Sequence, residues 1–135
     1  MLLILRDNKP NIVDPNTFCP ITGGAEGDED LESAAKRELL EEILFAPTDL
    51  KFLGVSRFGN GFFFGRLSDE DASVIFLMEG QYFRFFDFDE LKNLELSFGF
   101  KIYLDRYTEI FRKMFEEDYE PEGKDFGLLV RLTPE

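Results

Sequence analysis

The sequence contains no histidine and only one cysteine, Cys19. Without histidine, Ser-His-Asp and Cys-His catalysis and His-based phosphoryl transfer are excluded. A lone cysteine forms no internal disulfide and cannot build a structural zinc site. No apolar run approaches the roughly 18 residues that span a bilayer. The opening stretch MLLILRDNK has a short apolar run but no basic leader and no small-residue cleavage site, so no secretory signal is expected. Basic side chains are scarce as well: 15 Lys and Arg stand against 28 Asp and Glu, a formal net charge of −13. That balance argues against nonspecific binding to nucleic acid backbone or to an anionic membrane. The expectation is a cytoplasmic protein, and any hydrolytic chemistry in it has to run on carboxylates, a metal and water.

What is present is apolar surface and clustered acid. Hydrophobic residues make up 44% of the 135 positions and 17 are Phe, which excludes a disordered chain and suits one domain, 1–135. Acids concentrate in the stretch Gly23 to Phe45, at Glu26, Asp28, Glu29, Asp30, Glu32, Glu38, Glu41 and Glu42. From Leu31 onward the residues favour helix, with no Gly or Pro until Pro47. Asp28 or Asp30 suits the amino-terminal cap, and Glu29 is placed in the first turn, where the helix dipole favours negative charge. At about 100° per residue, Glu38, Glu41 and Glu42 stand on one arc. Carboxylates so spaced repel one another. A hard divalent cation, Mg²⁺ or Mn²⁺, removes that penalty because it prefers carboxylate oxygen and water.

The same stretch resembles the Nudix box, G-x5-E-x7-R-E-U-x-E-E-x-G-U with U a bulky aliphatic residue. Gly23, Glu29, Arg37, Glu38, Leu39, Glu41 and Glu42 fall in register, as does Phe45 if an aromatic is accepted at the last position. The second glycine of the pattern is Leu44 here. The resemblance implies an α/β fold, an α/β/α sandwich around a mixed parallel and antiparallel sheet, where periodicity alone gives only α plus β. It implies hydrolysis of a diphosphate linkage in a nucleoside diphosphate derivative, with water attacking phosphorus. Glu38, Glu41 and Glu42 become the metal ligands, the Gly23 carbonyl a further one, and Glu29 and Arg37 supports of the site. Members of the family often recruit a carboxylate from outside the box as general base. Glu79, ahead of Gly80, is the candidate, with Asp69, Glu70 and Asp71 as rivals. Arg6 and Arg57 are candidates for the phosphates, and Phe18, Phe58 or Phe62 for stacking on a base.

Around the box, Leu2 to Leu5 reads as a strand covered on both faces. Thr17 to Thr22 reads as an extended entry to the glycines. Apolar runs from Leu50 to Phe58 and from Phe62 to Leu67 flank Gly59-Asn60-Gly61 and predict a hairpin. Ala35, Leu39 and Ile43 are the predicted core positions of the box helix. Leu44 takes a left-handed exit only at about 1 kcal/mol, so the helix is expected to run on until Pro47. Ser68 to Ala72 reads as a polar turn, Val74 to Met78 and Tyr82 to Phe86 as strands, and Asp87 to Asn93 as a capped turn. Phe100 to Glu116 reads as one amphipathic helix and Phe126 to Leu132 as a last strand. The early start of the first strand and the unassigned last strand leave room for a homodimer.

Two other functions share these features. One is a Nudix-fold domain that binds nucleotides without cleaving them. The other is an acidic interaction domain using the Phe-rich strands. The residue set is the same for a nucleoside triphosphate, ADP-ribose, a nucleotide sugar and a dinucleoside polyphosphate.

Overall fold

A computed structural model describes residues 1–22, 24–47, 49–56 and 59–128. Strand β1 (Leu2–Leu5) lies between β2 (Phe18–Cys19) and β5 (Tyr82–Phe85), antiparallel to both. Its alternation decides what lies on each side. Leu3, fully buried, joins a core with Phe18, Leu53, Phe86, Leu91, Phe111 and Phe126, while Ile4 joins a smaller core with Ile43 and Ile75. Successive side chains of a strand point to opposite faces, so β1 is covered on both, as its unbroken apolar run predicts. A second sheet is the hairpin of β3 (Lys51–Val55) and β4 (Gly61–Phe64), with a register shift between Phe52 and Gly54. All ladders among the described residues are antiparallel, and the parallel pairing is an isolated bridge between Phe18 and Leu96.

Helix α1 (Leu31–Ile43) begins at Asp30, whose carboxylate accepts the Ser33 amide at 2.7 Å. Glu29 therefore precedes the cap, and Glu32 occupies the first turn. Ala34, Leu39 and Ile43 carry the inner face; Ala34 is the buried alanine and Ala35 only half-buried. The expected run-on past Leu44 does not occur. Leu44 takes the left-handed conformation (φ 52°, ψ 37°), its N–H donating to the Leu40 carbonyl. The reason lies in what docks there: the Phe76 amide donates to Ile43 O (3.0 Å) and the Met78 amide to Glu42 O (2.8 Å). A helix continuing beyond Ile43 would occupy those carbonyls itself. Leu44 is half exposed and loses little packing on truncation. Leu44→Gly is expected to stabilise the protein by about 0.5–1 kcal/mol by removing the left-handed strain, read as a higher urea midpoint.

Other expectations change locally. The polar stretch after Ser68 is a short helix, α2 (Asp69–Val74), closed by a reciprocal cap between Ser68 and Asp71. Residues 75–78 then cross the end of α1 without a ladder, bonded to its carbonyls instead of to a strand. The Asp87 and Glu90 capping box opens α3 (Phe88–Leu91) as expected. The long amphipathic stretch is two helices, α4 (Phe98–Arg106) and α5 (Thr108–Glu116), broken at Tyr107 (φ −119°, ψ 37°). At the break the Thr108 hydroxyl donates to the Leu104 carbonyl at 2.7 Å. The expected strand from Phe126 is also corrected: Gly123–Phe126 is a 3₁₀ turn ending at Gly127 in the left-handed region, and residues 129–132 lie outside the described residues. Phe126 and Leu128 are nonetheless buried. Apolar content foretold burial there but not conformation. No helix among the described residues is long and apolar enough to cross a membrane.

Candidate active site

Arg37 is the hub of the carboxylates on α1. Its Nε donates to Glu29 Oε2 at 2.9 Å and its Nη2 to Glu29 Oε1 at 3.0 Å and to the Gly24 carbonyl at 2.8 Å. The remaining nitrogen, Nη1, donates to Glu38 Oε1 (2.9 Å) and Glu41 Oε2 (3.2 Å). Glu29 in turn accepts the Glu26 amide at 3.1 Å. One guanidinium thus ties the loop before the helix to two carboxylates of the arc, using its planar fork of donors. The Arg37 hydrogen bonds hold the Glu29 carboxyl below its usual range, and Glu29 raises the guanidinium in return.

Glu42 stands apart from that network. Its Oε2 is buried and has no hydrogen-bond partner among the described residues. Burial first, then the charges of Glu38 and Glu79 and finally Glu41, push its carboxyl up to about 7, with Arg6 opposing. Arc geometry alone treats the three glutamates as equals; the fold does not.

The bond from the Met78 amide to Glu42 O brings the next residue, Glu79, to the box. Gly80 then turns the chain at φ 93°, where an added Cβ would lie 2.7 Å from Ile4 Cγ2 and 3.0 Å from Leu5 O. The Gln81 amide donates to Leu5 O, and its side chain to the Arg6 carbonyl (2.7 Å) and Asn16 Oδ1 (2.9 Å). Asp69, Glu70 and Asp71 sit in the first turn of α2, where Asp71 is occupied as a cap. Of the acids considered outside the box, Glu79 is therefore the one whose charge acts on Glu42. Gly80 and Gln81 had no signal of their own in the sequence beyond a glycine following an acid.

The remaining candidates separate. Arg6 follows β1, and its charge acts on Glu42. Phe18 is a core residue: its ring makes T-shaped contacts with Tyr82 at 5.8 Å and Phe86 at 5.1 Å, and it is too buried to stack on a base. Phe62 likewise packs on Tyr103. Gly23, Arg57 and Phe58 lie outside the described residues. A cleft of about 640 Å³ opens at the other end of α1. Its rim of Glu29, Asp30 and Glu32 would repel a diphosphate, so size does not identify the site here.

These groups fit a hard cation in their donor chemistry. Glu42 presents a buried oxygen lacking a partner, and Glu38, Glu41 and Glu79 lie within electrostatic reach of it. Among the described residues, however, no three acidic side chains converge in a ligating group. Glu38 and Glu41 are turned to Arg37.

A family model described as the NUDIX domain matches residues 1–98. The chain belongs to the Nudix family. Comparisons with curated proteins and with solved structures found no match. Membership supports hydrolysis of nucleoside diphosphate-linked compounds in general, and Nudix hydrolases generally use divalent metals. The match stops at the first residue of α4. The part of this Nudix chain beyond it still supplies Phe100, Leu104, Phe111, Phe126 and Leu128 to the main core.

Proposed function

We propose that this Nudix chain is a Mg²⁺- or Mn²⁺-dependent pyrophosphohydrolase that splits the diphosphate linkage of a nucleoside diphosphate derivative. The observation that carries the proposal is the buried, unpartnered Oε2 of Glu42 at a box position. A carboxylate held that way is costly unless a cation meets it. Glu42 is the anchoring ligand in this reading, with Glu38, Glu41 and the Gly23 carbonyl completing the set. When bound, a cation at these carboxylates would neutralise charge on the diphosphate and lower the pKa of water. Glu79, brought next to Glu42 by the Met78 amide, is the general base for the attacking water in this reading. Arg37 and Glu29 keep the loop before α1 against the carboxylate arc, and Arg6 faces the substrate's negative charge. The α/β/α sandwich with a mixed sheet belongs to the same reading.

The test is release of nucleoside monophosphate from a panel of diphosphate-linked nucleosides, with and without divalent metal. Turnover is expected only with metal. Glu79→Gln should lower kcat by about 10²- to 10⁴-fold, the usual contribution of a general base. Nucleotide binding without turnover on the whole panel would replace this reading with that of a binding domain.

A further inference from the structure

Arg6 makes no ion pair among the described residues, although its charge acts on Glu42. Arg37, Arg66, Arg84 and Arg112 each have a carboxylate within 4 Å, whereas Arg6, like Arg106, has none among the described residues. Its backbone is fixed on both sides, the amide donating to Thr17 O (2.9 Å) and the carbonyl accepting from Gln81 Nε2 (2.7 Å). The side chain is half-buried, and its Nε donates to the Val13 carbonyl at 3.0 Å. A guanidinium with no carboxylate in contact keeps donors for an arriving anion, which it binds by charge-assisted hydrogen bonds.

The space beside it is bounded. A cleft of about 150 Å³ is lined by Arg6, Asp14, Cys19, Thr22, Ser97 and Gly99, among others. It has room for a phosphoryl group and is partly open to solvent. Thr22 offers a hydroxyl, and so does Ser97, whose side chain does not cap α4. Burial raises the Cys19 thiol, which stays neutral and adds no negative charge. Asp14 is the opposing group; its carboxylate already accepts the Phe98 amide at 3.0 Å. Gly99 lies past the family match, so one wall belongs to the helices that follow it.

We infer that this cleft is an anion subsite that seats a terminal phosphoryl group of the substrate. The inference rests on the hydrolase reading above and narrows it: the far side of the broken linkage ends in phosphate, as in a nucleoside triphosphate, and not in a sugar as in ADP-ribose or a nucleotide sugar. Arg6 is the specificity-determining residue, and Thr22 and Ser97 are the hydroxyl donors.

Binding of inorganic phosphate to the full chain in EDTA, followed by calorimetry, isolates the subsite from metal and turnover. Arg6→Gln should weaken phosphate binding by about tenfold, the loss of one charge-assisted contact, and Arg6→Lys should recover part of it. In metal, Arg6→Gln should lower the ratio of kcat/KM for triphosphate over ADP-ribose by a similar factor. Equal phosphate affinity in wild type and Arg6→Gln, with both folded by circular dichroism, overturns the inference. So does turnover of ADP-ribose in preference to triphosphates, which would leave the hydrolase reading intact. Arg6-dependent phosphate binding with no turnover on any substrate would instead keep the subsite and remove the hydrolase.

Discussion

Glu42→Gln is expected to stabilise the metal-free protein and to abolish its hydrolysis. The stabilisation follows from geometry: Glu42 Oε2 is buried and without a partner, and an amide of the same shape carries no charge into that position. The pH dependence has a definite sign. Glu42 is raised from 4.5 to about 7, so between those values the folded state holds a proton that the unfolded chain releases. Its unfavourable contribution is absent below 4.5, grows as pH rises through this window and is complete above about 7. Glu29 and Asp30 act oppositely, since hydrogen bonds to Arg37 and to Ser33 hold both below their usual values. They contribute stability above the unfolded carboxylate range and lose it as pH falls through their lowered values. Metal-free wild type should therefore be most stable at mildly acid pH. At pH 8 the variant should gain roughly 1–2 kcal/mol after allowance for solvent screening, a rise of about 3–10 °C in Tm.

Activity moves the other way. Partners of metal ligands, even those one shell out, carry about 10- to 100-fold in affinity or rate. Loss of Glu42 itself should cost more than about a hundredfold in kcat/KM. Added Mn²⁺ should raise the Tm of wild type and leave that of the variant nearly unmoved, because only a ligand bound to the folded state stabilises it. A lower Tm for Glu42→Gln in EDTA at pH 8 would show that the carboxylate has a partner and would remove the main support for the metal reading.

The second large effect is structural. Gly123→Ala is expected to destabilise the protein by about 3–5 kcal/mol, at the diagnostic end of single substitutions. An added Cβ would lie 1.8 Å from Leu53 O and 2.9 Å from Leu53 C, both backbone atoms of β3 that cannot turn aside. The 3₁₀ turn would have to leave the hairpin, taking the buried Phe126 and Leu128 with it. Gly99→Ala is the control: nothing lies within 4 Å of its added Cβ, and alanine favours the helix. Urea denaturation of the two variants separates them. An unchanged midpoint for Gly123→Ala would mean that the segment beyond the family match is not integral to the core.

Legibility followed the range of the interactions. A cap at Asp28 or Asp30 (it is Asp30), Arg37 four residues before Glu41, the hairpin around Gly59 to Gly61 and the Asp87 capping box all depend on neighbours within a few residues, and all appear in the structure. Two of the failures depend on distant partners. Leu44 turns left-handed because residues 76–78 occupy the carbonyls of α1, and those residues lack a ladder for the same reason. Phe18 looked available to a base, but Tyr82 and Phe86 enclose it from more than sixty residues away.

The sequence by itself determined the acidic helix, its register with the Nudix box and the exclusion of histidine and disulfide chemistry, because composition and i, i+4 spacing are properties of the chain alone. Only the tertiary structure decided how the three glutamates differ. Arg37 reaches Glu38 and Glu41, whereas Glu42 is buried and brought beside Glu79. Desolvation and the approach of charges from other segments set that difference, and neither exists until β1, α1 and residues 76–81 have packed together.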